Sequence, residues 1–291
     1  MTKAYYLPQT TDEALELLKK HNGSAAIVCG GTDLIVQMKS GAKQFDVLVD
    51  ISRIPALNTM QEEEDTIAIG GAVTHARVAN APFIQKYATA LAQGCGIVGS
   101  PQIRNAGSLS GNIVNAQPAA DSAIALIALE AEATICGSAS QRTCKVEALY
   151  QDVGKSRVDY CGEIITALRF AKLDPARGEA SAVQRLSQRN MLSLPMLNVA
   201  VALKISAKET IDWVRISIGP VARTPFRNPA AEKIFEGAPA TEAVFQEIGD
   251  YYRLLANPRS SKLRGGADYR KEMVSVLTER ALRDAAATVR G

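Results

Sequence analysis

The 291-residue chain contains no uninterrupted apolar run near the ~20 residues that a membrane-spanning helix requires, so no span is predicted. Metal-binding chemistry is scarce as well. The cysteines stand singly at 29, 95, 136, 144 and 161, none forms a C-x-x-C pair, and the only histidines are His21 and His75. That scatter argues against a zinc site or an iron–sulfur cluster built by this chain alone, and no metal ligand is predicted. Charge of one sign is lacking too. The net charge is +3 and the charges are interspersed, which argues against nucleic-acid binding. The opening Met1-Thr2-Lys3-Ala4-Tyr5-Tyr6-Leu7-Pro8 has no signal-peptide pattern. An odd cysteine count without a leader predicts free thiols in a reducing, cytoplasmic compartment. The sequence shows no internal repeat, no low-complexity tract, and neither an acid–base dyad nor a nucleophile triad; catalytic residues stay unassigned.

What is present is organised around residues 99–121, Gly-Ser-Pro-Gln-Ile-Arg-Asn-Ala-Gly-Ser-Leu-Ser-Gly-Asn-Ile-Val-Asn-Ala-Gln-Pro-Ala-Ala-Asp. The stretch reads as too polar and glycine-rich for a core element and too specific for a spacer. Ser108, Ser110, Gly111 and Asn112 crowd small side chains together, and Asn115 and Asp121 add an amide and a carboxylate. Glycine lets a backbone approach a ligand, and successive N–H groups then face an anion. The same residues equally serve a tight loop between two elements.

A second feature lies upstream. Tyr5-Tyr6-Leu7-Pro8 predicts a short strand, and Thr10 with Glu13 has capping-box spacing before a helix that ends near Gly23. A strand over 25–29 runs into Gly30-Gly31-Thr32-Asp33-Leu34, followed by a short turn through Met38 and Lys39 and a strand over 46–50. A Gly-Gly-Thr at a strand's carboxyl end presents bare N–H groups and a hydroxyl to a pyrophosphate; a plain strand–turn explains it as well. Gly94-Cys-Gly-Ile-Val-Gly99 matches G-x-G-x-x-G, but a helical pattern precedes it and Ser100-Pro101 follows, so a nicotinamide-type Rossmann turn is not expected there.

The remaining pattern predicts a strand over 66–70, helices over 74–80 and 82–93, and an apolar helix over 121–129 with Asp121 at or near its cap. His75, near a helix start, reads as helix-terminal or solvated. A strand pair over 132–136 and 142–146 and a strand over 163–170 complete the N-terminal part. Residues 172–178 read as a linker, giving domains 1–173 (subdivided near 53/54) and 179–291. Beyond it, strands over 182–186, 197–205 and 213–218 precede helices over 232–235, 242–255 and 269–287, an α+β arrangement. Trp213 reads as a sheet or interface residue. The loop 185–195, with Arg185 and Arg189 before an apolar run ending in Pro195, reads as a ligand cover or a docking loop.

Together these residues resemble the FAD-binding (medium) subunit of the molybdenum hydroxylases, the family of bacterial xanthine, carbon monoxide and nicotinate dehydrogenases. The resemblance spans essentially the whole chain. Ala25-Ala-Ile-Val-Cys-Gly-Gly-Thr-Asp-Leu34, Ile69-Gly-Gly-Ala-Val-Thr74 and Pro101-Gln-Ile-Arg-Asn-Ala-Gly-Ser-Leu-Ser-Gly-Asn-Ile113 with Pro118-Ala-Ala-Asp121 carry it; Arg264-Gly-Gly-Ala-Asp-Tyr-Arg270 is a weaker match. It implies an α+β fold: a two-part FAD-binding N-terminal domain of the vanillyl-alcohol-oxidase-like flavoprotein type, and a smaller C-terminal domain with a three-stranded antiparallel sheet and helices. It implies FAD as cofactor, with Ile27, Val28, Cys29, Gly30, Gly31, Thr32, Asp33 and Leu34 wrapping the diphosphate from one side. Ser108, Leu109, Ser110, Gly111 and Asn112 would hold phosphate and ribityl oxygens from the other, and Asp121 would bond ribityl or ribose hydroxyls. Val98, Ile164 and Ile165 would wall the ring or adenine, and Gln184 and Arg185 would approach the isoalloxazine.

Two positions depart from the family pattern. Ser110 stands where a glycine is frequent, and Gln184 where some members carry lysine, followed by Met191-Leu-Ser-Leu-Pro195 in place of acidic residues. The iron–sulfur insertion of one branch is absent. The resemblance implies a large molybdenum-cofactor partner and a small [2Fe–2S] partner, with electrons passing through FAD to NAD⁺ or another acceptor and a purine such as xanthine as the leading substrate. Arg185 or Arg189 would stabilise the reduced ring, or form a salt bridge between domains or subunits. A free-standing flavoenzyme of the same fold and a nucleotide-binding scaffold subunit are the competing readings.

Overall fold

The computed structural model describes residues 2–189, 192–261 and 265–291. In chain order its elements begin β1 (Ala4–Tyr6), α1 (Thr11–His21), β2 (Ala25–Val28), α2 (Leu34–Lys39), β3 (Val47–Asp50), β4 (Met60–Glu62) and β5 (Thr66–Gly70). Five helices follow: α3 (His75–Asn80), α4 (Pro82–Tyr87), α5 (Thr89–Gly96), α6 (Pro101–Ala106) and α7 (Leu109–Val114). Then come α8 (Asp121–Ala128), β6 (Glu132–Gly137), β7 (Gln141–Lys145), β8 (Tyr150–Asp152), β9 (Lys155–Ser156) and β10 (Glu163–Ala171). The rest is β11 (Glu179–Leu186), β12 (Leu197–Ile205), β13 (Ile211–Gly219), β14 (Phe226–Arg227), α9 (Pro229–Ile234), α10 (Glu242–Leu255) and α11 (Ala267–Arg290). None of the described helices is long and apolar enough to cross a membrane.

Packing divides the chain into two units that cut across chain order. One comprises residues up to 77, 101–116 and 131–171; the other comprises 78–100, 117–130 and the chain from 172 onward.

In the first unit, β1, β3 and β2 form a parallel sheet in the order β1-β3-β2. Alternation along the strands feeds both faces, as a parallel sheet covered on two sides requires. Ala25, Val47 and Val49 pack on Ala14, Leu15 and Leu18 of α1, while Ala26, Val28 and Leu48 pack on Leu34, Ile35 and Met38. Thr10 caps α1 by accepting from the Glu13 N–H at 3.1 Å, and Glu13 Oε2 accepts from the Gln9 N–H at 2.7 Å. The helix ends where Asn22 and Gly23 take positive φ, 27° and 81°. The second sheet of this unit is antiparallel, in the order β4-β5-β10-β6-β7. The hairpin expected over 132–146 is its β6–β7 edge. The three-residue edge strand β4 is too short to leave a periodic signal.

In the second unit, β11, β12 and β13 pair antiparallel, as expected, and a two-residue strand β14 extends the sheet to four. Leu197, Val199, Val201 and Leu203 share one apolar cluster with Phe245, Ile248 and Tyr252 of α10 and Val274, Leu277 and Ala281 of α11. The alternate residues of β12 are Asn198, Ala200 and Ala202, and α5 and α8 also pack against this strand. The helix expected over 82–93 is two helices, α4 and α5, because the chain turns at Ala88, φ −149° and ψ 51°. Gly94, the first glycine of the G-x-G-x-x-G look-alike, lies in α5. A Cβ there would sit 2.8 Å from the Asp121 carbonyl oxygen, so this glycine serves helix packing. Pro101 does open a helix, α6, at its first position, where a missing N–H is harmless.

A buried ion network closes the sheet end of this unit. Arg227 bonds Glu232 through Nε and Nη2, both at 2.8 Å, and Glu130 through Nη1 at 2.9 Å; Arg215 reaches Glu130 at 3.0 Å. Glu232 also accepts from the Ile216 N–H at 2.9 Å. Arg227→Met strands the buried Glu232 carboxylate, and loss of one partner of such a pair costs about 3–5 kcal/mol. Urea denaturation should show a large drop in midpoint for this variant. Lys3→Met, which removes the exposed pair to Asp46, should leave the midpoint almost unmoved.

Candidate functional site

The two small-residue turns singled out in the sequence meet in the first unit. The chain leaves β2 at Val28 and turns at Gly30-Gly31 before α2; the other turn is the Ala106–Ser108 connection between α6 and α7. A Cβ on Gly30 would lie 1.9 Å from the Ala106 carbonyl oxygen and 2.8 Å from the Gly107 nitrogen. Backbone is thus stacked on backbone, which only glycine permits. Gly31 has φ +65°, the left-handed region, and a Cβ there would press on Ile35 and Val28. Gly107 faces Thr32 Oγ1 and the His75 ring, at 3.4 and 3.6 Å from where its Cβ would be.

These turns leave donors uncommitted. Among the described residues the main-chain N–H groups of Gly31, Thr32, Asp33, Ser108 and Ser110 have no protein acceptor. The arrangement matches a diphosphate, which offers acceptors only. A second glycine pair supports the floor. Gly70 lies against the Leu57 carbonyl, and a Cβ on Gly71 would be 1.8 Å from the Ile165 carbonyl oxygen.

The stretch 101–114 differs from its sequence reading as a loop outside the core. It forms two short helices, with Ser108, Leu109, Ser110 and Ile113 buried. Ser108 Oγ caps α7 by accepting from the Gly111 N–H at 3.1 Å. Ser110 Oγ donates to the Gly71 carbonyl, so the serine in place of a frequent glycine gains a bond, and its φ is not positive. Polar residues are buried here because each finds a main-chain partner.

Around this cradle, burial pushes the Cys29 thiol up, partly offset by a hydrogen bond with Ser108, so the sulfur stays protonated. Asp33 is also raised by burial, offset by Asn115 and Lys43. Ile27, Val28 and Leu34 pack into the sheet cores, and Ile164 and Ile165 are buried in β10. His75 begins α3, as expected, but is 2% exposed rather than solvated. Burial, then repulsion from Arg104, lowers its pKa to about 4. Sequence reasoning passed over His75, Gly71 and Gly107 as site residues; the signal was the Gly70-Gly71 pair, which repeats the Gly30-Gly31 pattern at a strand end.

The other expected residues belong to the second unit. Asp121 is the first residue of α8 but makes no side-chain cap. Its Oδ1 accepts from Asn198 Nδ2 at 2.7 Å and lies 3.4 Å from Arg185 Nε. Gln184 donates to Asp284 Oδ2 at 2.6 Å, and the Val98 N–H meets the Cys95 carbonyl at 3.4 Å. Besides its pairing with Asp121, Arg185 donates to the Ser193 carbonyl, and Arg189 of the 185–195 loop donates to the Leu192 carbonyl. Asn190 and Met191 of that loop, and Arg264 of the last motif, lie outside the described residues. Arg270 of the same motif is buried and donates to the carbonyls of Met196 and Arg259 at 2.9 and 2.8 Å, which makes it an anchor of this unit.

Burial raises Asp121 to about 6, against the lowering effects of Arg185 and Asn198. An acid whose folded pKa exceeds its unfolded value favours folding when protonated, and that contribution fades as pH rises from about 4 through about 6. Asp121→Asn should therefore flatten the fall in stability between pH 4 and 7, read as urea midpoints across that range.

Comparison with known proteins identifies the family. Residues 1–172 match the family described as FAD binding domain in molybdopterin dehydrogenase, and residues 182–285 match the CO dehydrogenase flavoprotein C-terminal domain. The nicotinate dehydrogenase FAD-subunit of Eubacterium barkeri is 30% identical over 277 residues, 93% of this chain and 91% of that one. The xanthine dehydrogenase FAD-binding subunit of Escherichia coli O157:H7 is 25% identical, covering 99% of this chain and 97% of the relative. A solved chain of carbon monoxide dehydrogenase from Hydrogenophaga pseudoflava superposes with a TM-score of 0.90 at 28% identity, over 99% of this chain and 98% of that one. With two apposed glycine turns and family matches over residues 1–172 and 182–285, the chain belongs to the FAD-binding flavoprotein subunits of the molybdopterin-dependent dehydrogenases.

Proposed function

We propose that this chain is the electron-transfer flavoprotein of a three-part molybdenum hydroxylase. Electrons from a substrate oxidised on a large molybdenum-cofactor partner pass through a small [2Fe–2S] partner to FAD on this chain, and then to NAD⁺ or another acceptor. FAD, when bound, supplies the exchange between one-electron and two-electron chemistry. This chain's residues bind and orient the cofactor. The amides of Gly31, Thr32 and Asp33 would hold one side of the diphosphate and those of Ser108 and Ser110 the other, and Asn112 would bond ribityl oxygens. Cys29, neutral and packed beside Ser108, adds no charge to repel the phosphates.

The observation that carries the reading is the Gly30 turn stacked on Ala106–Gly107. Gly30→Ala drives a methyl into a carbonyl and should cut bound FAD at least tenfold, read as the ratio of flavin absorbance to protein after gel filtration. Gly31→Val and Asn112→Leu should act in the same direction. Gly266→Ala, where a Cβ meets nothing within 4 Å, should keep wild-type flavin. Full flavin in all three site variants would place the diphosphate elsewhere.

The relay has its own test. Co-expressed with candidate large and small partner chains, the protein should co-purify with both and show iron–sulfur absorbance only in their company. Flavin reduction by a small donor in the isolated chain, with no association to either partner, would support a free-standing flavoenzyme instead.

A further inference from the structure

Among the described residues at the cradle, His75 is the one with a buried side-chain nitrogen that lacks a partner. It is 2% exposed, and its Nδ1 is sealed from solvent without a hydrogen-bond partner. A buried polar atom left unpaired is costly, a cost that leucine or phenylalanine would avoid at this position.

The backbone fixes where the ring sits. The His75 N–H donates to the Gly107 carbonyl at 3.0 Å, and the Leu109 N–H returns to the Val73 carbonyl at 2.9 Å, a two-bond clasp between the start of α3 and the α6–α7 turn. The clasp brings the ring's Cδ2 edge, the edge that carries Nε2, against Gly107, with Thr32 Oγ1 on the same glycine. Thr32, Gly107 and His75 therefore converge from three separate segments on one point of the cradle. A neutral imidazole carries one proton. An orphaned lone pair is tolerated in a protein interior more readily than an orphaned N–H, so the sealed Nδ1 is the bare nitrogen and Nε2 carries the hydrogen. The charged form is disfavoured by burial and by Arg104.

We propose that His75 positions the cofactor diphosphate, donating its Nε2–H into the cradle beside the Thr32 hydroxyl and the uncommitted turn amides. The inference rests on the FAD reading and deepens it. The Thr32 hydroxyl, the His75 ring and the turn amides then offer donors to a ligand rich in acceptors, and His75 does so without adding a charge of its own.

The test uses the full chain, stripped of flavin and titrated with FAD, ADP and riboflavin. Removing one hydrogen bond to a charged acceptor corresponds to about a tenfold to hundredfold loss. His75→Phe should weaken FAD and ADP by that factor and leave riboflavin unchanged. His75→Gln, whose amide nitrogen falls near the Nε2 position, should return FAD binding to within about threefold of wild type. His75→Asn, too short to reach, should behave like the phenylalanine variant and stands in for it if that variant does not fold. Wild-type FAD affinity in the Phe and Asn variants overturns the proposal and leaves the flavin reading intact. Equal losses for riboflavin and ADP also overturn it, since they report a general collapse. A wild-type chain that binds riboflavin, ADP and FAD not at all overturns both.

Discussion

Everything distinctive about the first unit depends on one close approach: the main chain at Gly30 resting on the main chain at Ala106 and Gly107. Two peptide segments meet there without side chains between them. Secondary structure consumes most backbone donors, so a concentration of uncommitted N–H groups needs a place where strands and helices have just ended. The ends of β2 and α6 supply it. The two segments come together because glycine removes the atoms that would hold them apart.

The surrounding structure serves that contact. A parallel sheet covered on both faces aims the carboxyl end of β2 at the cradle, the end at which open α/β sheets carry their ligands. Hydroxyls that elsewhere would face water are turned inward: Ser108 caps α7 and Ser110 bonds the Gly71 carbonyl. Such short side chains satisfy main-chain groups while taking little volume, so the turns stay close. The second unit follows different rules. Its antiparallel sheet carries a continuous apolar layer beneath α10 and α11, and its buried charges are paired, Asp121 with Arg185 and Asn198, Arg227 with Glu130 and Glu232.

These two styles of burial bear on function. Uncommitted donors confer affinity for an anion and offer no chemistry of their own. Compensated charges confer shape. A chain equipped in this way is suited to holding a flavin in position, as expected of a flavoprotein subunit among the molybdopterin-dependent dehydrogenases.

The sequence alone determined the periodic elements and the glycine punctuation. The Thr10 cap, the strands over 66–70 and 197–205 and helix α10 were legible because capping, alternation and helical spacing are local rules. The two glycine-rich turns were legible because small residues cluster there, and the family resemblance joined them. Tertiary structure decided the rest. Residues 101–114 became buried helices because distant carbonyls, such as that of Gly71, accept their hydroxyls. Residues 78–100 and 117–130 joined the second unit because the backbone of α5 fits α8 only at Gly94 and the sheet alternates to receive them. His75 was sealed beside Gly107 by a clasp between segments more than thirty residues apart. Partners that far away along the chain leave no periodic trace, and only the folded contacts say which polar residues are satisfied and which still await a ligand.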